Sequence, residues 1–165
     1  MVTTMYATRP LPPIPEIGHS EGFYARKSHE AEKLGDDHAR EANKVAQYIT
    51  LALNGRLEWD QKLRYFEHAL HRHCSAPPLS NENIWMFYAK LAEMVRQYAG
   101  QEALKIASVE DDRYASMERM GVPRKKIEDE AEVFFARLLG NRNERPDYLN
   151  EEDWVQMKLI RDQWI

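Results

Sequence analysis

The sequence has only one cysteine, Cys74, among its 165 residues, so an internal disulfide is excluded. It also lacks any uninterrupted apolar run near the ~18 residues that a membrane-spanning helix needs. The region after Met1 does not pair a basic stretch with an apolar run, which a secretory signal peptide would require. From these absences we expect a soluble protein in the cytoplasm, with no membrane partner.

Motifs that mark common catalytic sites are also missing. The sequence contains no Gly-x-Ser-x-Gly nucleophile elbow and no glycine-rich loop of the kind that binds phosphates. The formal net charge is −4, and neither half of the chain is strongly basic. Because binding to nucleic acid depends on a positive surface, we do not expect a nucleic-acid partner.

The composition and the spacing of apolar residues predict an all-α protein. Apolar residues make up 43% of the chain and charged residues 30%, with seven glycines, as in soluble helical domains. Apolar positions recur three and four residues apart over most of the chain. We predict an extended Pro-rich N-terminal arm over residues 1–27, followed by one bundle-like domain of five or six helices over residues 28–165.

Four prolines lie close together in the predicted arm and favour an extended polyproline conformation. The segment Arg9-Pro10-Leu11-Pro12-Pro13-Ile14-Pro15 resembles ligands of SH3 domains, which bind paired prolines in aromatic grooves and a basic residue in an acidic pocket. The alternative is an arm that lies on its own domain or on a neighbouring subunit. Candidate partner-binding residues here are Arg9, Leu11, Pro12 and Pro15.

The first half of the domain predicts two helices. The first begins at Ser28, a plausible N-cap, and ends at Asn54-Gly55. The second begins near Leu57, buries a stripe that includes His73, and ends at Pro77-Pro78.

The second half predicts three or four more helices. One begins near Ser80, and Gly100 is expected to mark a kink or the start of a new helix that runs to Met120. Pro123 fits the first turn of the next helix, which Gly140 ends. Asn150 is the expected cap of the last helix, whose large apolar residues Trp154 and Trp164 should pack on the domain or on a partner.

Three polar residues on the second helix are candidates for catalysis. Arg64, His68 and His71 are spaced so that an α-helix would place them on one face. An arginine followed a few residues later by histidine resembles the ribonuclease motif of the HEPN superfamily. That resemblance implies a metal-independent ribonuclease in which His71 acts on the 2′-hydroxyl and Arg64 on the phosphate. The alternative is a solvated polar face.

Histidines and the cysteine on the same helix raise the possibility of a metal site. His68, His71 and Cys74 are the candidate ligands, since imidazole and thiolate are common zinc ligands. A four-ligand site would need more groups, such as His29 and His38. The alternative, which we favour, is a buried structural cysteine with surface histidines and no metal or other cofactor.

Several short motifs follow one another over residues 18–100. They are Gly18-x-x-x-Gly22-Phe23, Leu53-Asn54-Gly55, Trp59-Asp60-Gln61-Lys62-Leu63-Arg64-Tyr65, Phe87-Tyr88, Leu91, Met94 and Val95. In this order they resemble the helical half of nitrile hydratase β subunits. The resemblance implies a non-catalytic subunit whose arm wraps its partner and whose Arg64 binds oxidised metal-ligating cysteines of that partner. The β-barrel half of that family has no counterpart after Gly100, and the metal-binding cysteines belong to a different subunit.

The sequence therefore favours a protein-interaction module without catalytic activity of its own. We expect it to bind a protein partner or a second copy of itself through apolar helix faces, the arm and the tryptophan-bearing last helix. The two alternatives are the nitrile hydratase-like subunit and the HEPN-like ribonuclease.

Overall fold

The computed structural model describes residues 10–75, 82–140 and 143–165. Over these ranges it contains six helices and no strand, which confirms the all-α fold. They are α1 (Glu21–Lys33), α2 (Asp37–Ala52), α3 (Trp59–His68), α4 (Glu82–Arg119), α5 (Arg124–Leu139) and α6 (Glu151–Trp164). Helix α3 continues directly into a π-helical turn, Ala69–His73. No helix in the described ranges is long and apolar enough to cross a membrane.

The predicted first helix is in fact two helices. Helix α1 ends before Gly35, whose φ of 71° is a left-handed conformation that glycine adopts without a steric penalty. Asp36 then caps α2 by accepting a hydrogen bond from the backbone N–H of Ala39 at 3.1 Å. The sequence prediction of one continuous helix was wrong because it passed over this pair of stop and start signals. Ser28, the predicted N-cap, is instead buried within α1, and its hydroxyl donates to the Arg40 carbonyl.

Helix α1 includes the last seven residues of the predicted arm. Its N-cap is Ser20, and residues 21–27 are helical instead of extended. Residues 10–20 form neither helix nor strand. The buried Tyr24 of α1 joins this segment to the body, since its hydroxyl accepts from the N–H of Gly18 and donates to the Glu16 carbonyl.

A buried lysine joins α2, α3 and α4. The ammonium of Lys62 donates to the carbonyls of Ala52 at 2.9 Å and Asn54 at 3.0 Å, and it lies 3.2 Å from a carboxylate oxygen of Glu102. Carbonyls at the end of a helix have no partner within the helix. Lys62 therefore satisfies the end of α2 and gains the counter-charge that a buried ammonium needs. The predicted helix end at Pro77-Pro78 and start at Ser80 lie outside the described residues.

Helix α4 is the long central element, and it runs through Gly100 without a break. Gly100 is buried against α6, where a Cβ on it would lie 1.9 Å from Oδ2 of Asp153. The glycine therefore serves close packing between two helices, and the alternative of a new helix there was wrong. Small buried residues on the same stripe, Ala99, Ala103 and Ala107, also allow neighbours to approach closely.

The last two helices match their predicted boundaries. Pro123 is the N-cap of α5 and Gly140 is its C-cap, and the Asn150 side chain accepts from the Asp153 N–H at 2.8 Å. Trp164 is buried, with its indole N–H donating to Asp111 at 2.7 Å and its ring edge-on to Tyr114. Helix α6 thus packs on its own domain, where it completes one contiguous apolar core.

Candidate functional site

The π-helical turn after α3 decides which polar side chains meet. The N–H of Cys74 donates to the carbonyl of Ala69 at 3.1 Å, five residues back instead of four. In such a turn, side chains five apart become neighbours, and π-turns of this kind are frequent at functional sites. His68 and His73 are five apart, and their ring centroids lie 5.5 Å from each other.

The prediction that Arg64, His68 and His71 share one face assumed that the α-helix continues through His71. The structure pairs His68 with His73 instead, and both Arg64 and His71 are exposed. Among the residues described, neither of those two side chains forms a hydrogen bond or an ion pair. Of the three candidates, His68 alone belongs to the cluster described next.

Glu41 of α2 pairs with His73 across the helix interface. One carboxylate oxygen contacts Nδ1 of His73, and the other accepts from the Arg40 guanidinium at 3.1 Å. Burial raises the pKa of Glu41, but its hydrogen bond to His73 and the charges of His73 and Arg40 outweigh burial, so the net shift is downward. The carboxylate is therefore held ionised between two partners.

His73 has one polar atom without a partner. The residue is 6% exposed, and its Nε2 atom is buried with no hydrogen bond. Buried polar atoms without a partner are uncommon in folded proteins, and they need an explanation such as a ligand or a functional role. The ring is held from the other side by Glu41, so its orientation is fixed.

Tyr48 of α2 packs against both imidazoles. Its ring centroid lies 4.4 Å from that of His68 and 5.5 Å from that of His73, the latter nearly parallel. Burial lowers the pKa of His68, and the charges of His73, Arg72 and Lys44 lower it further. These effects favour the neutral form of the His68 imidazole.

Two open grooves adjoin this cluster, and both are lined by Arg40, Glu41, Arg72 and His73. The large groove has a volume of about 980 Å³ and lies between residues 10–14, the α1–α2 turn and the first turns of α4. The small groove has a volume of about 460 Å³, and its other lining residues are Glu32, Lys44, Tyr48 and His68.

The structure does not gather the candidate metal ligands. Cys74 is buried, and burial raises the pKa of its thiol to about 12, which disfavours the thiolate that binds metals. His38 is used in a 2.9 Å hydrogen bond with the Tyr88 hydroxyl, and His29 is exposed. In the described part of the chain, no three His, Cys, Asp or Glu side chains are arranged to hold a metal ion.

The candidate partner-binding residues lie in different surroundings. Arg9 is outside the described residues. Leu11, Pro12 and Pro15 are half-buried, and Leu11 packs against the core of its own chain. Trp154 is half-buried beneath the Lys158 ammonium, which lies 3.5 Å from the ring centroid. The contacts of Trp164 within the domain account for its burial without a partner.

Sequence reasoning did not single out Arg40, Glu41, Tyr48 or Arg72. The available signal was His73, which falls on the apolar stripe of its helix and must find a polar partner when buried. Comparison with known proteins adds no assignment, because no family model, curated protein or solved structure matches this chain.

Proposed function

We propose that this chain is a helical protein-binding module that holds a short segment of a partner protein in the large groove. The observation that carries the proposal is the apolar rim at the start of α4. Met86 lines the groove and is 47% exposed. Trp85 does not line the groove itself, but it lies between the lining residues Ile84 and Met86 in sequence and is 56% exposed. Tryptophan and methionine are enriched in protein interfaces, and tryptophan is a frequent centre of binding energy.

The lining of the large groove favours a partner segment with both apolar and acidic side chains. Leu11, Ile14 and Phe87 supply an apolar wall. Lys90 and Arg72 are exposed cations that line the groove, and in the described ranges neither has an ion pair. A segment that places apolar side chains on the wall and a carboxylate near Lys90 would match both features.

Selection from a displayed library of random peptides on the purified, immobilised chain tests the proposal. We expect enrichment of peptides that combine acidic and apolar residues, with dissociation constants in the micromolar range. Trp85→Ala and Lys90→Glu should each weaken binding about tenfold or more, since each removes an interaction worth roughly 1.4 kcal/mol.

Matched control variants lie on α5, away from the groove. Val133→Ala changes an apolar side chain that is 65% exposed, and Lys126→Glu reverses an exposed cation. Both should bind selected peptides like the wild type. The proposal is wrong if no peptide is enriched, or if the groove variants bind as well as the α5 variants do.

Two more specific versions of the proposal concern the Pro-rich arm and self-association. Residues 9–15 would offer an SH3-type ligand or lie on a second copy, and α6 would add Trp154 to such an interface. Light scattering of the purified chain separates these versions. A dimer that Trp154→Ala converts to monomer supports self-association, whereas a concentration-independent monomer excludes it.

A nitrile hydratase-like subunit is a second candidate. The observation that favours it is Arg64, an exposed guanidinium on α3 that has no ion pair within the ranges described. Retention of a metal-binding partner during purification from the source cell, lost in Arg64→Ala, would support it. The HEPN-like ribonuclease, with Arg64 and His71, stays a prediction that an RNA-cleavage assay on the same variant tests.

A further inference from the structure

We infer that the small groove is a binding site for a phosphate group, with Lys44 and Arg72 supplying the charge and Tyr48 and the His68–His73 pair supplying the floor. This site differs from the large groove in its ligand, although the two grooves share a wall. It does not depend on the proposed peptide binding.

The first observation that supports a phosphate site is that two cations in the groove have no ion-pair partner among the described residues. Lys44 is half-buried and Arg72 is exposed, and within the described residues neither forms a hydrogen bond or an ion pair. Arg40, the third cation of this groove, is neutralised by Glu41 at 3.1 Å and Asp37 at 3.6 Å. Two unpaired positive charges therefore face one small groove, which suits a dianion such as a phosphate monoester.

The second support is the set of unused hydrogen-bonding atoms. The Tyr48 hydroxyl and the His68 ring have no hydrogen bond to any described residue, although both line the groove. His73 also lines the groove, and it is 6% exposed, but its unpartnered Nε2 atom is itself buried. The donors from the π turn are therefore those of the Arg72 guanidinium. A phosphate accepts several hydrogen bonds through its oxygen atoms, so it could use donors from α2 and from the π turn together.

Two carboxylates, those of Glu32 and Glu41, also line the groove, and their negative charge opposes the binding of an anion. Glu41 is already occupied by His73 and Arg40. Glu32, at the end of α1, is exposed and unpaired among the described residues, so it opposes an anion. Because it is exposed to solvent, its effect is screened by salt. We expect Glu32→Gln to tighten phosphate binding about twofold to fivefold.

The depressed pKa of His68 gives the site a direct readout. The charges of Lys44 and Arg72 contribute to that depression. A bound phosphate would offset both charges, so the pKa of His68 should rise when the site fills. Imidazole ring protons observed by nuclear magnetic resonance report this change in the full chain.

The test is a titration of the full chain with sodium phosphate at constant ionic strength, with sodium chloride as the salt control. We expect saturable shifts of the His68 ring resonances with phosphate and none with chloride. Lys44→Ala and Arg72→Ala should each weaken binding about tenfold while the melting temperature stays within about 2 °C. Lys126→Ala removes an exposed cation on α5, outside both grooves, and should bind phosphate as the wild type does.

A second titration, with glycerol 3-phosphate, distinguishes the source of the phosphate group. Tighter binding than inorganic phosphate indicates a phosphorylated small molecule, and equal binding indicates free phosphate. An adventitious charge effect would appear as unsaturable shifts, as equal shifts in chloride, or as shifts that survive in both alanine variants. Any of these three results overturns the inference, whether or not peptides bind the large groove.

Discussion

The long helix α4 carries a tryptophan near its first turn and packs against another near its last turns, and the two residues are used in opposite ways. Trp85, which is next in sequence to the groove-lining Met86, is 56% exposed. Trp164 of α6 is 7% exposed and hydrogen-bonded to Asp111. Exposure of so large an apolar side chain lowers the stability that its burial would provide. This contrast is the basis for our proposal that the end near Trp85 serves binding, while packing around Trp164 stabilises the fold.

The polar groups named at the two ends of the molecule have different surroundings. At the α6 end, Asp111 and Asn150 form hydrogen bonds that complete packing and capping. At the π-turn end, the Nε2 atom of His73 lacks a partner, and the cations Lys44 and Arg72 have no counter-ion among the described residues. Unsatisfied buried atoms are not confined to that end, since the Tyr114 hydroxyl beside Trp164 and Oε2 of Glu130 also lack a partner. What distinguishes the π-turn end is that His73, Lys44 and Arg72 line an open groove.

The largest expected effect is on the free energy of unfolding, and it is the difference between replacing Trp164 and replacing Trp85 by alanine. Trp164→Ala removes a buried aromatic side chain and should lower the free energy of unfolding by about 3–5 kcal/mol. Trp85→Ala changes an exposed side chain and should cost about 0.5 kcal/mol or less. Urea unfolding of the two variants in parallel checks this difference. Similar losses in both would remove the basis of the comparison.

Gly100 tests the packing of α6 on α4. Gly100→Ala should lower the free energy of unfolding by about 1–3 kcal/mol, because the new methyl group would displace the Asp153 carboxylate. In an Asp153→Ala background the same change should instead stabilise the protein by up to about 1 kcal/mol, since alanine is the better helix former. Thermal unfolding of the wild type, the two single variants and the double variant measures the coupling. Additive effects would contradict the contact.

Glu41 tests the buried pair at the opposite end. Glu41→Ala leaves Nδ1 of His73 without its acceptor and should cost about 1–2 kcal/mol. Glu41→Gln keeps an oxygen acceptor in place and should cost less. Chemical denaturation at neutral pH compares the two. If the alanine variant is as stable as the wild type, the pair does not hold α2 to the π turn.

The smallest effect is a pH dependence from His68, whose pKa is lowered by burial and by the charges of His73, Arg72 and Lys44. The unfolded chain takes up the proton near pH 6.5, before the folded chain does, so protonation favours unfolding. This contribution to stability is therefore complete above about pH 6.5 and is lost as the pH falls below it. Glu41, whose pKa is lowered from 4.5, contributes at lower pH.

Unfolding free energies at about pH 7.5 and about pH 5.5 measure this contribution. His68→Gln should show a smaller fall between the two pH values than the wild type does. Equal falls in both proteins would show that His68 does not have the lowered pKa.

The fold could be predicted from the sequence where local chemistry decides it. Asn150, Pro123 and Gly140 mark helix ends through their own side chains or backbone, and the structure has them there. The role of Gly100 could not be predicted, because its reason is the Asp153 carboxylate 53 positions along the chain, brought close only by folding. The helix start at Asp36 could have been predicted, because aspartate directly after Gly35 is a common N-cap, but the sequence prediction passed over it.

The candidate site was harder to predict than the fold. Its centre depends on a π turn, which shifts His73 next to His68 and leaves no distinct residue pattern in the sequence. The pairing of Glu41 with His73 joins residues 32 positions apart. Helical periodicity identified His73 as buried but could not supply its partner, so the exposed Arg64 and His71 stood out instead.

Hydrogen–deuterium exchange of the full chain, with and without a peptide selected for binding, tests the division between the two ends most directly. We predict slower exchange on binding at the α1–α2 turn, the π turn and the first turns of α4, with α5 and α6 unchanged. Protection confined to α5 or α6 would place the binding surface at the end that we assign to stability, and it would contradict this account.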